Sequence, residues 1–159
     1  MKTLIVYYSY EGNCASIAEK IKEALPDADT LRLSTVEDKT RGSFAKYLWG
    51  GKQVLSGKKP ALAPYSVDIN AYDRIIIGTP VWAWSYAPAI RSFLEGTKIE
   101  EKKIALFCCH GGGKGKTLEK LKKALPGNTF IGAADFREPL AHPQGVPEKL
   151  AAWIAGLTG

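Results

Sequence analysis

The chain has 159 residues, 45% of them hydrophobic, and carries 22 Lys and Arg against 16 Asp and Glu, a formal charge of +6. That length fits one globular domain over residues 1–159 with a sizeable core, and no apolar run approaches the roughly 20 residues of a membrane span. Three cysteines at no framework spacing, two of them adjacent, exclude a disulfide scaffold, and no aromatic-interleaved basic motif marks a nucleic-acid binder.

The elements follow in chain order. The opening T-L-I-V-Y-Y reads as a strand over residues 3–9 rather than as a leader, so a cytoplasmic setting is expected. It runs directly into S-Y-E-G-N-C and then into an amphipathic stripe of Ile17, Ile21, Ala24 and Leu25. A weaker strand is expected at 29–33. A second helical stripe, Phe44, Tyr47, Leu48 and Leu55, lies in a segment whose six basic residues between Lys39 and Lys59 have no acid among them. That surface reads either as a solvated helix face with Trp49 buried, or as a docking face for an acidic redox partner. Residues 56–72 look like a long loop. Strands are then expected at 74–79, 103–109 and 129–134. Their apolar runs are continuous rather than alternating, as in parallel strands covered on both faces. Helical stripes separate or follow them: Ile90, Phe93 and Leu94; Leu118, Leu121 and Leu125; Val146, Leu150, Trp153, Ile154 and Leu157. Strand and helix alternate, so the expected fold is α/β, a doubly wound parallel sheet with helices on both faces. Ligands of such sheets bind beyond the carboxyl ends of the strands.

Three strand-end loops therefore carry the functional reading. S-Y-E-G-N-C offers backbone N–H groups at a helix start, with Ser9 and Asn13 as further donors. Such a turn suits a phosphate without a cation, or else Ser9 or Asn13 simply caps the helix. G-T-P-V-W-A-W-S-Y-A-P presents Trp82 and Trp84 two apart. Taken as extended chain, both rings fall on one side and meet a flat ligand; the alternative is that either ring fills the core. C-C-H-G-G-G-K-G-K-T follows the fourth strand. Its H-G-G-G-K-G-K-T nearly matches a Walker A loop, with Asp135 as a partner acid, but His110 stands at the first glycine position. Adjacent Cys108, Cys109 and His110 cannot wrap a tetrahedral metal, so no metal site is expected.

The order of Y-Y-S-Y-E-G-N, G-T-P-V-W-A-W-S-Y-A-P-A-I-R-S-F-L and a glycine-rich third turn resembles the flavodoxin family along essentially the whole chain. The resemblance implies a flavodoxin-like five-stranded parallel sheet of order 2-1-3-4-5 and FMN as cofactor. It matches Ser9, Tyr10, Glu11, Gly12, Asn13 and Cys14 to the phosphate loop, usually T/S-x-T-G-N-T. It matches Thr79, Pro80, Val81, Trp82, Ala83 and Trp84 to one side of the isoalloxazine ring, and Cys109, His110, Gly111, Gly112 and Gly113 to its other edge. It implies low-potential electron transfer between redox partners, by a monomer or weak dimer with no catalytic acid or base; an NAD(P)H- or quinone-dependent FMN oxidoreductase is the alternative. Three departures stand out. Glu11 and Cys14 replace hydroxyl residues, the third loop has no aromatic cover (Trp49 or Tyr86 would have to reach over), and the chain is basic where electron-carrier flavodoxins are acidic.

Overall fold

A computed structural model describes residues 1–36 and 60–158. Its strands are β1 (Thr3–Tyr8), β2 (Asp29–Leu33), β3 (Arg74–Trp82), β4 (Ser85–Tyr86), β5 (Lys103–His110) and β6 (Thr129–Arg137). Its helices are α1 (Asn13–Ala24), α2 (Pro88–Gly96), α3 (Thr117–Lys123) and α4 (Val146–Thr158), with one 3-10 turn at Ile69–Ala71. The five long strands are parallel and lie in the order β2-β1-β3-β5-β6, while the two-residue β4 folds back antiparallel on β3. With β4 set aside, that is the order 2-1-3-4-5. The stripe of Phe44, Tyr47, Leu48 and Leu55, the basic segment around it and Trp49 fall outside the described residues.

Two cores explain the continuous apolar runs. Leu4, Val6 and Tyr8 of β1, Ile75 and Ile77 of β3 and Leu106 of β5 pack against Ile90 and Phe93 of α2 and Leu121 of α3. Ile5 and Tyr7, Ile76, Ala105 and Phe107 pack against Ile17 and Ile21 of α1 and Leu150, Ile154 and Leu157 of α4. Successive side chains of a strand point to opposite faces, so the central strands β1, β3 and β5 feed both cores and their runs are continuously apolar. Residues 60–72, expected as loop, are tied down at points. Thr35 bridges to Leu62, Ser92 Oγ donates to the Pro60 carbonyl at 2.6 Å, and the Tyr65 ring lies 5.8 Å from that of Phe93.

At the opposite end of the sheet from the three loops, Arg74 is buried. Its Nε donates to Thr3 Oγ1 at 2.9 Å and an Nη to the Leu157 carbonyl at 3.1 Å, joining β1, β3 and the end of α4. Burial lowers its pKa. Gly78 is required by close approach: a Cβ there would lie 2.0 Å from Cζ of Phe107, whose ring crosses the β3 backbone. Gly78→Ala must displace that ring from a packed core and is expected to cost about 1–3 kcal/mol. The measurement is urea unfolding, with a lower midpoint at unchanged slope.

Candidate functional site

The polypeptide leaves β1 toward β2 on one side of the sheet, while β3 lies on the other, so strand order reverses between β1 and β3. A crevice opens there, as the winding rule requires. A cavity of about 150 Å³ is walled by Ser9, Tyr10, Glu11, Asn13 and Cys14 from the first turn, Pro80, Val81 and Trp82 from the end of β3, Cys109, His110 and Gly111 from β5, and Glu138. A second cavity of about 370 Å³ shares Val81, His110 and Gly111 with it and adds Ala83, Trp84, Gly112 and Gly113. The residues anticipated from the three loops thus converge, except that Gly12 and Thr79 line neither cavity.

Gly12 instead shapes the first turn. It is the residue before α1 and sits at φ 100°, a left-handed conformation that costs glycine least. The helix gives the Asn13 and Cys14 N–H groups no acceptor, because the first N–H groups of any helix lack one. The Ala15 N–H is already served by Ser9 Oγ at 3.0 Å, and the Ser16 N–H by the Gly12 carbonyl at 2.9 Å. Ser9 therefore caps the helix with its oxygen and keeps its hydroxyl hydrogen. Asn13 Oδ1 likewise accepts the Leu140 N–H at 3.1 Å and keeps its amide hydrogens.

Thr79 is fully buried and acts as a bracket. Its Oγ1 accepts the Ala87 N–H at 2.9 Å and donates to the Pro80 carbonyl at 2.8 Å, pinning the far end of the Trp-bearing loop to the start of α2. Within that loop the extended W-x-W expectation is corrected. Trp82 pairs with Ser85 across a two-residue hairpin, and the turn residues Ala83 and Trp84 take φ 49° and 63°. Positive φ at both positions is the twist-matched form of such turns. It separates the two rings. Trp82 is 7% exposed and stands edge-on to Tyr8 at 5.5 Å, as core and cavity wall at once; Trp84 is 69% exposed. Tyr86 lines neither cavity, and its ring has the Arg91 guanidinium 5.7 Å away.

From β5, His110 Nε2 lies 2.8 Å from Asp135 Oδ2 of β6. Lys114 and Lys149 stand 3.6 and 4.0 Å from Asp135 Oδ1. Burial pushes the Asp135 pKa up, but the His110 hydrogen bond and the two lysine charges outweigh it, leaving the carboxyl below its usual range. His110 Nδ1 is buried without a hydrogen-bond partner among the described residues. Two thiols at the wall are held in their protonated form. Burial first, then the neighbouring Cys109 thiol, holds Cys14 well above an ordinary cysteine, and burial with the Asp135 charge pushes Cys108 up to about 12.

Sequence reasoning missed a fourth segment. Glu138 follows β6 at φ 34°, donates its N–H to the His110 carbonyl at 2.9 Å and sets its carboxylate over Gly111, where a Cβ would lie 2.8 Å from Oε1. Leu140, 58% exposed, reaches to 3.3 Å from the position of a Cβ on Gly12. E-P-L carries no motif, and only the pairing of β6 beside β5 brings it to the site. Among the described residues, the first cavity accordingly has two carboxylates, Glu11 and Glu138, and no Lys or Arg in its wall.

Residues 2–154 match the model of the flavodoxin family. The chain belongs to the flavodoxin family. It is 27% identical to a flavoprotein from Lactobacillus acidophilus solved in complex with FMN; the TM-score is 0.74, over 90% of this chain and 97% of that one. A protein from Bacteroides uniformis shares the fold at TM-score 0.81 and 23% identity, over 97% of each chain. Two-electron reduced flavodoxin from Megasphaera elsdenii shares it at 0.59 and 21%, over 99% of each.

Two substitutions test the local analysis of this flavodoxin-family site. Thr79→Val strands the buried Ala87 N–H and is expected to cost about 1–3 kcal/mol. Ala83→Gly removes a left-handed penalty of about 1–2 kcal/mol against a smaller entropic loss, for a net gain of about 0.5–1 kcal/mol. Thermal unfolding of each variant checks both signs.

Proposed function

We propose that this chain binds FMN at the crevice beyond β1, β3 and β5 and carries electrons between redox partners. The observation that supports it most is the start of α1, where the Asn13 and Cys14 N–H groups have no acceptor in the helix and Gly12 holds the turn without a side chain. That donor set fits a phosphate. Backbone N–H groups and the positive helix end hold an anion without a lysine, and the Ser9 hydroxyl and Asn13 amide hydrogens add to them. The Thr79–Trp84 and Cys109–Gly113 segments, with Val81, Trp82 and Trp84 as apolar surface, would hold the ring. Bound there, flavin supplies one- and two-electron exchange.

The residues themselves hold the cofactor and set its surroundings. Trp84 offers apolar area that is otherwise in water. The carboxylates of Glu11 and Glu138 oppose an anion, while Lys114 and Lys149 lie on the other side of His110 around Asp135. A cytoplasmic setting fits the three free, buried cysteines, and among the described residues no helix is long and apolar enough to cross a membrane. The five lysines between Lys114 and Lys123 would favour an acidic partner. The reductase alternative would need a small substrate, such as a quinone or the nicotinamide of NAD(P)H, to reach the ring from the solvent side of the second cavity, where Trp84 is 69% exposed.

Titration of the apoprotein with FMN and with riboflavin tests the reading. Two charge-assisted hydrogen bonds are expected to favour FMN on the order of 100-fold or more. Equal affinities would refute the phosphate turn. Oxidation of NAD(P)H by the loaded protein with a quinone acceptor would favour the reductase reading over the carrier.

A further inference from the structure

His110 forms a wall of both cavities, yet neither holding a phosphate nor covering a ring uses its chemistry. It is only 10% exposed, and its Nε2 is fixed on Asp135. With its pKa below the usual range, Asp135 is ionised near neutral pH, and an ionised carboxylate only accepts hydrogen bonds. Nε2 therefore carries the hydrogen. Nδ1, buried and unpartnered among the described residues, is the nitrogen left to gain or lose a proton.

We propose that His110 takes up one proton from solvent for each pair of electrons delivered to the cofactor, with Asp135 as the positioning residue that fixes its ring and tautomer. The inference rests on the FMN reading above. The electrons come from a low-potential reductant, dithionite in the test below, and the proton ends on Nδ1. No other bond is made or broken at the histidine. Negative charge arriving in the adjoining cavity favours imidazolium over imidazole, so the ring binds its proton more tightly after reduction than before. Between its two pKa values the site gains a proton as it gains electrons.

The neighbouring charges have assigned places. Asp135 of β6 favours imidazolium and is itself faced by Lys114, after β5, and Lys149, from α4. Lys149 Nζ also donates to the Asp135 carbonyl. Arg137 stands opposite His110 in the ladder, Glu138 follows it with His142 3.7 Å away, and Glu11 approaches from the first turn. The Cys14 and Cys108 thiols are kept protonated by burial and add no charge.

The test uses the full chain loaded with FMN, with uptake first verified by absorbance titration; no uptake by the wild type refutes the FMN reading and this inference together. With FMN bound, midpoint potentials are measured from about pH 5 to 9, the range of histidine titration. The wild type is expected to show a window in which the potential falls more steeply with pH, by one extra proton per two electrons. His110→Gln is expected to lose that window. Asp135→Asn is expected to move it to lower pH, because the imidazolium loses its anion. Unchanged pH dependence in His110→Gln overturns the proposal, as does loss of the window in Glu138→Gln with its retention in His110→Gln. Ring NMR of the wild type decides independently of whether the variants fold. The chain has two histidines, and His142→Gln separates their signals. The His110 ring is expected to bind its proton roughly tenfold more tightly in the reduced than in the oxidised protein; equal titration in both states overturns the proposal.

Discussion

Burial of the sheet on both faces constrains everything else in this chain. Leu4, Val6 and Tyr8 enter one core and Ile5 and Tyr7 the other, so a one-residue slip of β1 would exchange the two sets. The register of β1 on β3 and of β3 on β5 is thereby fixed, with Val6 opposite Ile77 and Ile77 opposite Leu106. Aligned strands end together, and the three turns that follow them are brought to one crevice. The site is thus a consequence of packing far beneath it.

What the packing delivers, a few polar contacts then hold in place. Ser9 caps α1, Thr79 brackets the tryptophan hairpin, Asn13 ties the first turn to Leu140, and His110 is held by Asp135. Each contact spends an acceptor and leaves hydrogens: a hydroxyl hydrogen at Ser9, amide hydrogens at Asn13. A turn that has satisfied its acceptors while retaining donors is suited to an anion. Among the described residues, the charged side chains of settled sign in the first cavity are carboxylates, so any positive potential at this turn comes from backbone dipoles. The cations sit one layer away around Asp135.

The adjacent Cys108 and Cys109, from which no metal site is expected, are buried at the crevice end of β5, with Cys109 in the cavity wall. Desolvation disfavours the charged form of Cys14 and Cys108, which serve as small apolar groups. Among the described residues, His110 and Tyr10 are the titratable rings in the crevice wall.

The sequence by itself determined the alternation of strands and helices, the parallel sheet and the three loops. Continuous apolar runs, glycines and tryptophans record those features locally. It also carried the strand-to-helix turn and Ser9 as a helix cap, because S-Y-E-G-N-C sits where a strand pattern becomes a helical one. The tertiary structure alone decided the separation of Trp82 from Trp84. Ala83 and Trp84 carry no turn signature, and their positive φ values follow from β4 folding back on β3. The recruitment of Asp135, Glu138 and Leu140 was decided in the same way. These residues meet His110, Gly111 and Asn13 only because β6 lies beside β5, and pairing between strands separated in sequence leaves no mark on either segment read alone.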